Sequence, residues 1–279
     1  MLRAHEWILL GYFWYAAAIA PLYLTHPSRA GLLALVVTGL VLVVSRLNYT
    51  RDWVPLALII TAYREMDWFL PAQRDYHLEF SWIEWDRLLL YRFGFQRAIE
   101  ALGPVMPAYL EFAYLWVYGV FPVMVAAMYF AQKRSRIEAV LTVYLSGTLS
   151  AYALFPYFPS VPPRVLFGAA DASHYSSILR RFNLFLVNDY GIHSSVFPSA
   201  HVSSAFSAAW ALMLFVPEHK WMGRGMLIYA LSVAIAVIYG RYHYAVDALA
   251  GFGVSLVALG VGLALKASGS SLRSIPGKT

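Results

Sequence analysis

The sequence predicts an all-α fold, a polytopic integral membrane bundle of about seven or eight transmembrane helices. Three observations predict it. Apolar types fill 60 % of the 279 positions and charged types 13 %, against roughly 45–50 % and about 25 % in soluble domains. Mean hydropathy is +0.59, and apolar runs long enough to cross a bilayer recur along the chain. Nine Trp and twenty Tyr suit wide lipid–water boundaries. Disorder, a coiled coil and a small secreted scaffold are excluded. The absence of cysteine removes disulfides, thiolate nucleophiles, iron–sulfur clusters and cysteine-ligated zinc.

The elements follow in order. The run 7–24 is long, with no clear small-x-small cleavage site after it, and reads as a span rather than a cleaved signal. A second run covers 30–45. The stretch 53–69 is short and ends in Arg64, Glu65 and Asp67, so spanning and surface-lying readings both stand. In 70–107, Trp82, Trp85, Leu88, Leu89, Phe93 and Ile99 recur at spacings of three and four. That pattern suits an amphipathic helix in the interface, or a cap helix packed on the bundle. Spans are predicted at 108–131 and 137–156. The stretch 157–198 carries Pro159, Pro162, Pro163, Gly168, Asn188 and Gly191, which is loop chemistry. Further spans are predicted at 199–216, 225–240 and 244–265, and 266–279 reads as a mobile tail. The chain thus divides into an N-terminal membrane part (1–107), a catalytic bundle (108–265) and the tail.

Basic residues give the sidedness. With the N-terminus inside and all eight segments crossing, the inner pieces carry Arg3, Arg46, Arg51, Lys133, Arg134, Arg136, Lys220, Arg224, Lys266, Arg273 and Lys278, eleven of the 21 basic residues. This predicts cytoplasmic termini and a multi-pass topology.

At the opposite, extracytoplasmic boundary, three separate stretches collect ionisable residues that are costly at membrane helix ends. Arg164 follows Phe158-Pro159-Ser160-Val161-Pro162-Pro163, His201 ends Phe197-Pro198-Ser199-Ala200-His201, and Gly240-Arg241-Tyr242-His243-Tyr244-Ala245-Val246-Asp247 holds three more. His243 and Asp247 lie four apart and share a helical face. A carboxylate there fixes one imidazole tautomer and frees the other nitrogen as a nucleophile. Pro198 and Ser199 mark a helix start whose free N–H groups form an anion site beside His201. Arg164 and Arg241 offer planar forks for phosphate oxygens. The set can carry phosphoryl transfer without a metal or cofactor. Each feature also has a plain alternative: a snorkelling arginine, a buried His–Asp hydrogen bond, an ordinary helix cap. A His/Asp metal site lacks an evident third ligand.

At these residues the chain resembles the type 2 phosphatidic acid phosphatase superfamily, whose motifs are Lys-x6-Arg-Pro, Pro-Ser-Gly-His and Ser-Arg-x5-His-x3-Asp. Pro198-Ser199-Ala200-His201 resembles the second, His243-x3-Asp247 the end of the third, and Arg164 stands at the arginine of the first. Tyr157 replaces the first motif's lysine, Val165 its proline, Ala200 the glycine and Val237 the third motif's arginine. Pro-Pro-Arg, Pro-Ser-Ala-His and His-Tyr-x2-Asp are similar to the inositol phosphorylceramide synthase branch, which transfers phospho-alcohol head groups between lipids. The resemblance implies that His243 attacks phosphorus, Asp247 orients it and His201 acts as acid, then base. Arg164, Ser199 and Arg241 would hold phosphoryl oxygens. The implied partners are a lipid phosphoester donor, a lipid or alcohol acceptor and the bilayer, with no nucleic acid. A lipid phosphomonoesterase acting on phosphatidic acid, phosphatidylglycerol phosphate or polyprenyl phosphate is the alternative, and a non-catalytic scaffold or transporter a third reading. His174, His193, Asp189 and Glu111 are further head-group candidates, each also readable as structural or solvent-facing.

Overall fold

The computed structural model describes residues 1–71, 73, 75–168 and 175–273, and every regular element among them is helical. In chain order they are α1 (Ala4–Tyr23), α2 (Ser28–Val44), α3 (Thr50–Met66), α4 (His77–Arg87), α5 (Phe95–Glu100), α6 (Val105–Leu115), α7 (Val120–Phe130), α8 (Ile137–Leu154), α9 (Pro163–Leu166), α10 (Ile178–Asp189), α11 (Ala200–Phe215), α12 (Lys220–Tyr239) and α13 (Ala245–Arg273).

Helix α11 is the axis of the bundle, packed on α8, α12 and α13. Its sequence, AHVSSAFSAAWALMLF, explains this. Alanine and serine let neighbouring backbones approach closely where lipid offers no hydrophobic drive between helices. The Ser203 hydroxyl donates to the Gly147 carbonyl of α8 at 2.9 Å, and a Cβ on Gly147 would collide with the Ser207 hydroxyl. On α13, a Cβ at Gly251 would collide with the Ser199 carbonyl, and one at Gly262 would sit 2.6 Å from Leu214.

The N-terminal helices α1 and α3 pack on the other side of α8, with α2 against them. Their ends are locked by a buried carboxylate. Asp52 accepts from Arg3 Nη1 at 2.5 Å, the Tyr129 hydroxyl at 2.6 Å and Arg134 Nε at 2.8 Å. Arg51 Nη2 pairs with Glu6 at 2.6 Å beside it. At its far end α3 ties to the chain before α11. The Tyr63 hydroxyl accepts from Ile192 N at 3.0 Å, Arg64 Nη1 donates to the Tyr190 carbonyl at 3.0 Å, and Asp67 accepts from His193 N at 2.6 Å.

Among the described residues, four stretches are long and apolar enough to cross a membrane: Val105–Phe130, Arg134–Tyr157, Pro217–Tyr239 and Ala245–Ser268. Hydropathy runs alone lead to an expectation of seven or eight. For three of the four remaining runs, those at α2, α3 and α11, the difference has a physical cause. Helices α2 and α11 have 17 and 16 residues, about 25 Å of rise against a hydrocarbon core of about 30 Å. Helix α3 holds Arg51, Asp52, Arg64 and Glu65.

Two expectations are revised. The stretch 157–198, read as loop, contains α9 and the three-turn helix α10. The stretch 70–107 is broken into α4, a π-helical turn at Leu88–Arg92 and α5. Helix α4 buries Glu79, Ile83 and Asp86 while Phe80 and Trp85 remain exposed. Residues 266–273 of the predicted tail continue α13, and 274–279 lie outside the described residues.

Candidate active site

The three polar stretches meet through their backbones before any side chain is considered. Ser199 caps α11 with extended dihedrals, and its hydroxyl accepts from Val202 N at 3.4 Å. Its own N–H donates to the Asp247 carbonyl at 2.9 Å, joining the start of α11 to the first turn of α13. Contact with Gly251 makes the same junction tight. Between α12 and α13 the chain turns at Arg241, whose φ is +60°, and the N–H groups of Tyr242 and His243 both donate to the Val237 carbonyl at 3.0 Å. Helix α9 docks on this turn. Arg164 N donates to the Arg241 carbonyl at 3.2 Å and Arg164 Nη1 to the Tyr242 carbonyl at 3.4 Å.

The side chains complete the cluster. His243 Nδ1 lies 3.3 Å from Asp247 Oδ2, which also accepts from Tyr244 N at 3.0 Å. The His201 and His243 ring centroids are 5.6 Å apart. His201 stacks on Tyr114 at 4.9 Å, and Tyr114 on Tyr242 at 3.7 Å. His243 is 5 % exposed and Asp247 fully buried. Burial first, and the nearby Arg164 charge second, lower the His243 pKa to about 3, with a backbone hydrogen bond at Val196 acting the other way. The imidazole is therefore held neutral, the form that can attack an electrophile. His201 Nε2, Arg164 Nε, Arg241 Nε and Nη2, and Asp247 Oδ1 are buried without a hydrogen-bond partner. Unsatisfied donors are costly in a dry interior, and the Arg164 guanidinium beside the two imidazoles suits an anion's oxygens, whereas Asp247 Oδ1 is an acceptor and takes no part in holding one. Among the described residues no group of three or more His, Cys, Asp or Glu is placed to hold a metal.

Arg164, Ser199, His201, His243 and Asp247 lie in this cluster, and Arg241 joins it through its backbone at the turn. Arg241 has a further commitment, because its Nη1 pairs with Asp86 Oδ2 at 2.6 Å, both side chains buried. The other Asp86 oxygen accepts from Ala245 N at 2.8 Å, so α4 fixes both sides of the His243 turn. Glu79 accepts from Val161 N at 2.9 Å, and Trp82 stacks on Phe197 at 5.2 Å and meets Tyr244 edge-on at 5.6 Å. Sequence reading missed Glu79, Asp86 and Tyr114. The available signal was two carboxylates seven apart on the tryptophan-bearing face of α4.

Glu111 is buried and saturated. It accepts from Arg180 Nη1 at 2.7 Å, Asn183 Nδ2 at 2.7 Å and the Tyr242 hydroxyl at 2.6 Å. It therefore braces the stack behind His201 rather than opening toward a head group. His193 lies at the α3 tie, Asp189 is exposed at the end of α10, and His174 lies outside the described residues.

Comparison with known proteins adds an independent observation. Residues 83–261 match the family model described as the PAP2 superfamily. A PA-phosphatase related-family protein of Dictyostelium discoideum is 27 % identical over 130 residues, covering 44 % of this chain and 23 % of that protein. The chain thus matches less than a quarter of that relative's length. No solved structure matches the chain.

Proposed function

The chain belongs to the PAP2 superfamily, and from that premise we propose that it is a membrane phosphotransferase. It moves a phosphoryl or phospho-alcohol group from a lipid phosphoester to a lipid or alcohol acceptor through a phosphohistidine. The observation that carries this reading is the pair of facing imidazoles, one braced by Asp247 and both beside the Arg164 charge.

The neutral nitrogen of His243 remote from Asp247 attacks phosphorus. A nitrogen–phosphorus bond forms and the phosphorus–oxygen bond to the leaving alcohol breaks. His201, whose pKa burial, His243 and Arg164 lower to about 3 in the empty site, takes up a proton beside the bound anionic phosphoester and passes it to that oxygen. His201 then takes the acceptor's hydroxyl proton as the acceptor oxygen displaces His243. Asp247 balances the charge on His243 in the transition state. Arg164, Arg241, the Ser199 hydroxyl and the start of α11 hold the non-bridging oxygens.

Transfer is favoured over hydrolysis by the Pro-Pro-Arg and His-Tyr-x2-Asp variants, which are similar to the inositol phosphorylceramide synthase branch, and by the burial of His243 and the packing of His201 against Tyr114 and Tyr118. Water exclusion protects a reactive intermediate for a bound acceptor. Hydrolysis of a lipid phosphomonoester is the second reading, favoured by the likeness to the PA-phosphatase related-family protein of Dictyostelium. The clustering of lysine and arginine at the end of the bundle that holds Asp52 supports an extracytoplasmic site with cytoplasmic termini.

The test is mass spectrometry of products from purified enzyme and its His243→Ala variant. Lipid phosphomonoesters and phosphodiesters are offered with a total lipid extract as acceptor. A new lipid carrying the donor's head group, absent with the variant, is the expected result. Free phosphate with no new lipid would make the protein a phosphatase.

A further inference from the structure

Helix α10 turns Arg180 and Asn183 inward, with Leu184 and Val187 packed on the core beside them, and its rings outward. Arg180 and Asn183 are 8 % and 0 % exposed, whereas Ile178, Phe182 and Phe185, spaced four and three apart on the opposite face, are 73, 48 and 49 % exposed. A helix covering a site from the aqueous side would carry the reverse pattern.

The inward face fixes its depth. Arg180 and Asn183 bond Glu111 at 2.7 Å each, and Asn183 Nδ2 also donates to the Glu111 carbonyl at 2.9 Å. Glu111 is the seventh residue of the apolar stretch Val105–Phe130, about 9 Å along its axis from the start. Phe112, one residue further on, is 43 % exposed and stacks on Trp116 at 5.7 Å, an exposed ring of the kind expected where a membrane helix passes the head groups. Arg181, exposed beside Phe182, supplies a cation to lipid phosphates. Arg180 Nη1 also donates to the Gly240 carbonyl at 3.2 Å, next to the turn that carries His243.

We propose that α10 lies within the lipid interface of the leaflet on the catalytic side, with Phe182 and Phe185 at the head-group–acyl boundary and Arg181 among the phosphates. The bilayer surface then forms part of the support of the His243 turn.

The chain contains no cysteine, so single labels test this cleanly. Full-length F185C and, separately, F182C receive one nitrobenzoxadiazole label. They are reconstituted in phosphatidylcholine–phosphatidylglycerol vesicles containing 5-doxyl or 12-doxyl lipid. V257C, midway along α13 and 61 % exposed, is the deep reference. At 182 and 185, blue-shifted emission quenched several-fold more by 5-doxyl than by 12-doxyl lipid is expected, with the order reversed at 257. Water-like, unquenched emission at both α10 positions would overturn the proposal and make α10 an aqueous cap. Quenching as deep as at 257 would overturn it equally. Two label sites guard against one that misfolds. The readout needs no turnover, so it stands apart from the catalytic reading.

Discussion

His243 sits where charge is penalised, and this sets the acid side of the pH profile. Its pKa is lowered to about 3, first by burial and then by Arg164. The attacking form is neutral, so on the acid side activity falls when pH drops far enough to protonate the buried ring, and on the alkaline side it falls as His201, the acid, loses its proton. The acid limb of kcat/KM, which reports the free enzyme, is therefore expected well below the ordinary histidine value of about 6.5. Arg164→Ala removes a positive neighbour, so that limb moves toward higher pH while KM rises. A wild-type limb at or above 6.5 would contradict the assignment. Asp247→Asn tests the other side of the ring. Asp247 Oδ2 receives His243 Nδ1 at 3.3 Å and Tyr244 N at 3.0 Å. The amide can keep the backbone bond but not the tautomer preference and charge balance, so kcat should fall by roughly 10²- to 10⁴-fold, with thermal unfolding little changed. His243→Ala should lose all turnover above background in the same assay.

Helix boundaries were legible because lipid-facing helices are written in apolar runs. The predicted runs 7–24, 30–45 and 53–69 overlay α1, α2 and α3, and the later ones overlay α6 through α8 and α11 through α13. The meeting of Arg164, Ser199, His201, His243 and Asp247 was legible because sidedness puts their three stretches at one membrane boundary and their motifs resemble a known set, whereas cap chemistry and i,i+4 spacing, being local, give only the start of α11 and the His243–Asp247 face. Helix α10 was hidden because the prolines, glycines and asparagine of 157–198 read as loop, and its buried face mixes Arg180 and Asn183 with Leu184 and Val187. The Arg241–Asp86 pair joins residues 155 apart, which no local pattern can announce. At the scale of elements the glycines of α13 make a paired test. Gly251→Val places a side chain against the Ser199 carbonyl, whereas Gly253 has nothing within 4 Å of its added Cβ. Gly251→Val should destabilise by about 1–3 kcal/mol or more and displace the start of α11, losing activity as well. Gly253→Ala should be neutral or stabilise by up to about 1 kcal/mol through helix propensity. Thermal unfolding in detergent and turnover of each variant read both effects.

The molecule as a whole separates a structural lock from a chemical one. At one end Asp52 gathers Arg3 of the N-terminus, Tyr129 of α7 and Arg134 of the following turn around α3. At the other end Asp86 gathers Arg241 and Ala245 N around the His243 turn. Both are fully buried carboxylates serving several donors, so removing either leaves donors without their partner. Their consequences should differ because of what each donor carries. Arg3 and Arg134 keep 22 and 32 % side-chain exposure and can turn to solvent, so Asp52→Ala should cost stability by about 2–4 kcal/mol. Helix α3 still ties to the chain before α11 through Tyr63, Arg64 and Asp67, so kcat/KM of the folded fraction should stay within about twofold. Arg241 is 3 % exposed at its side chain and has no such escape. Asp86→Ala should lower stability and also release the turn that aims His243, reducing kcat several-fold even after correction for folded protein. Measured together, thermal midpoints and turnover per folded molecule should fall in parallel for Asp86→Ala and diverge for Asp52→Ala. Loss of turnover in both variants would mean that the two ends are coupled through α3 and its 190–193 tie, and that stability at one face sets catalytic geometry at the other.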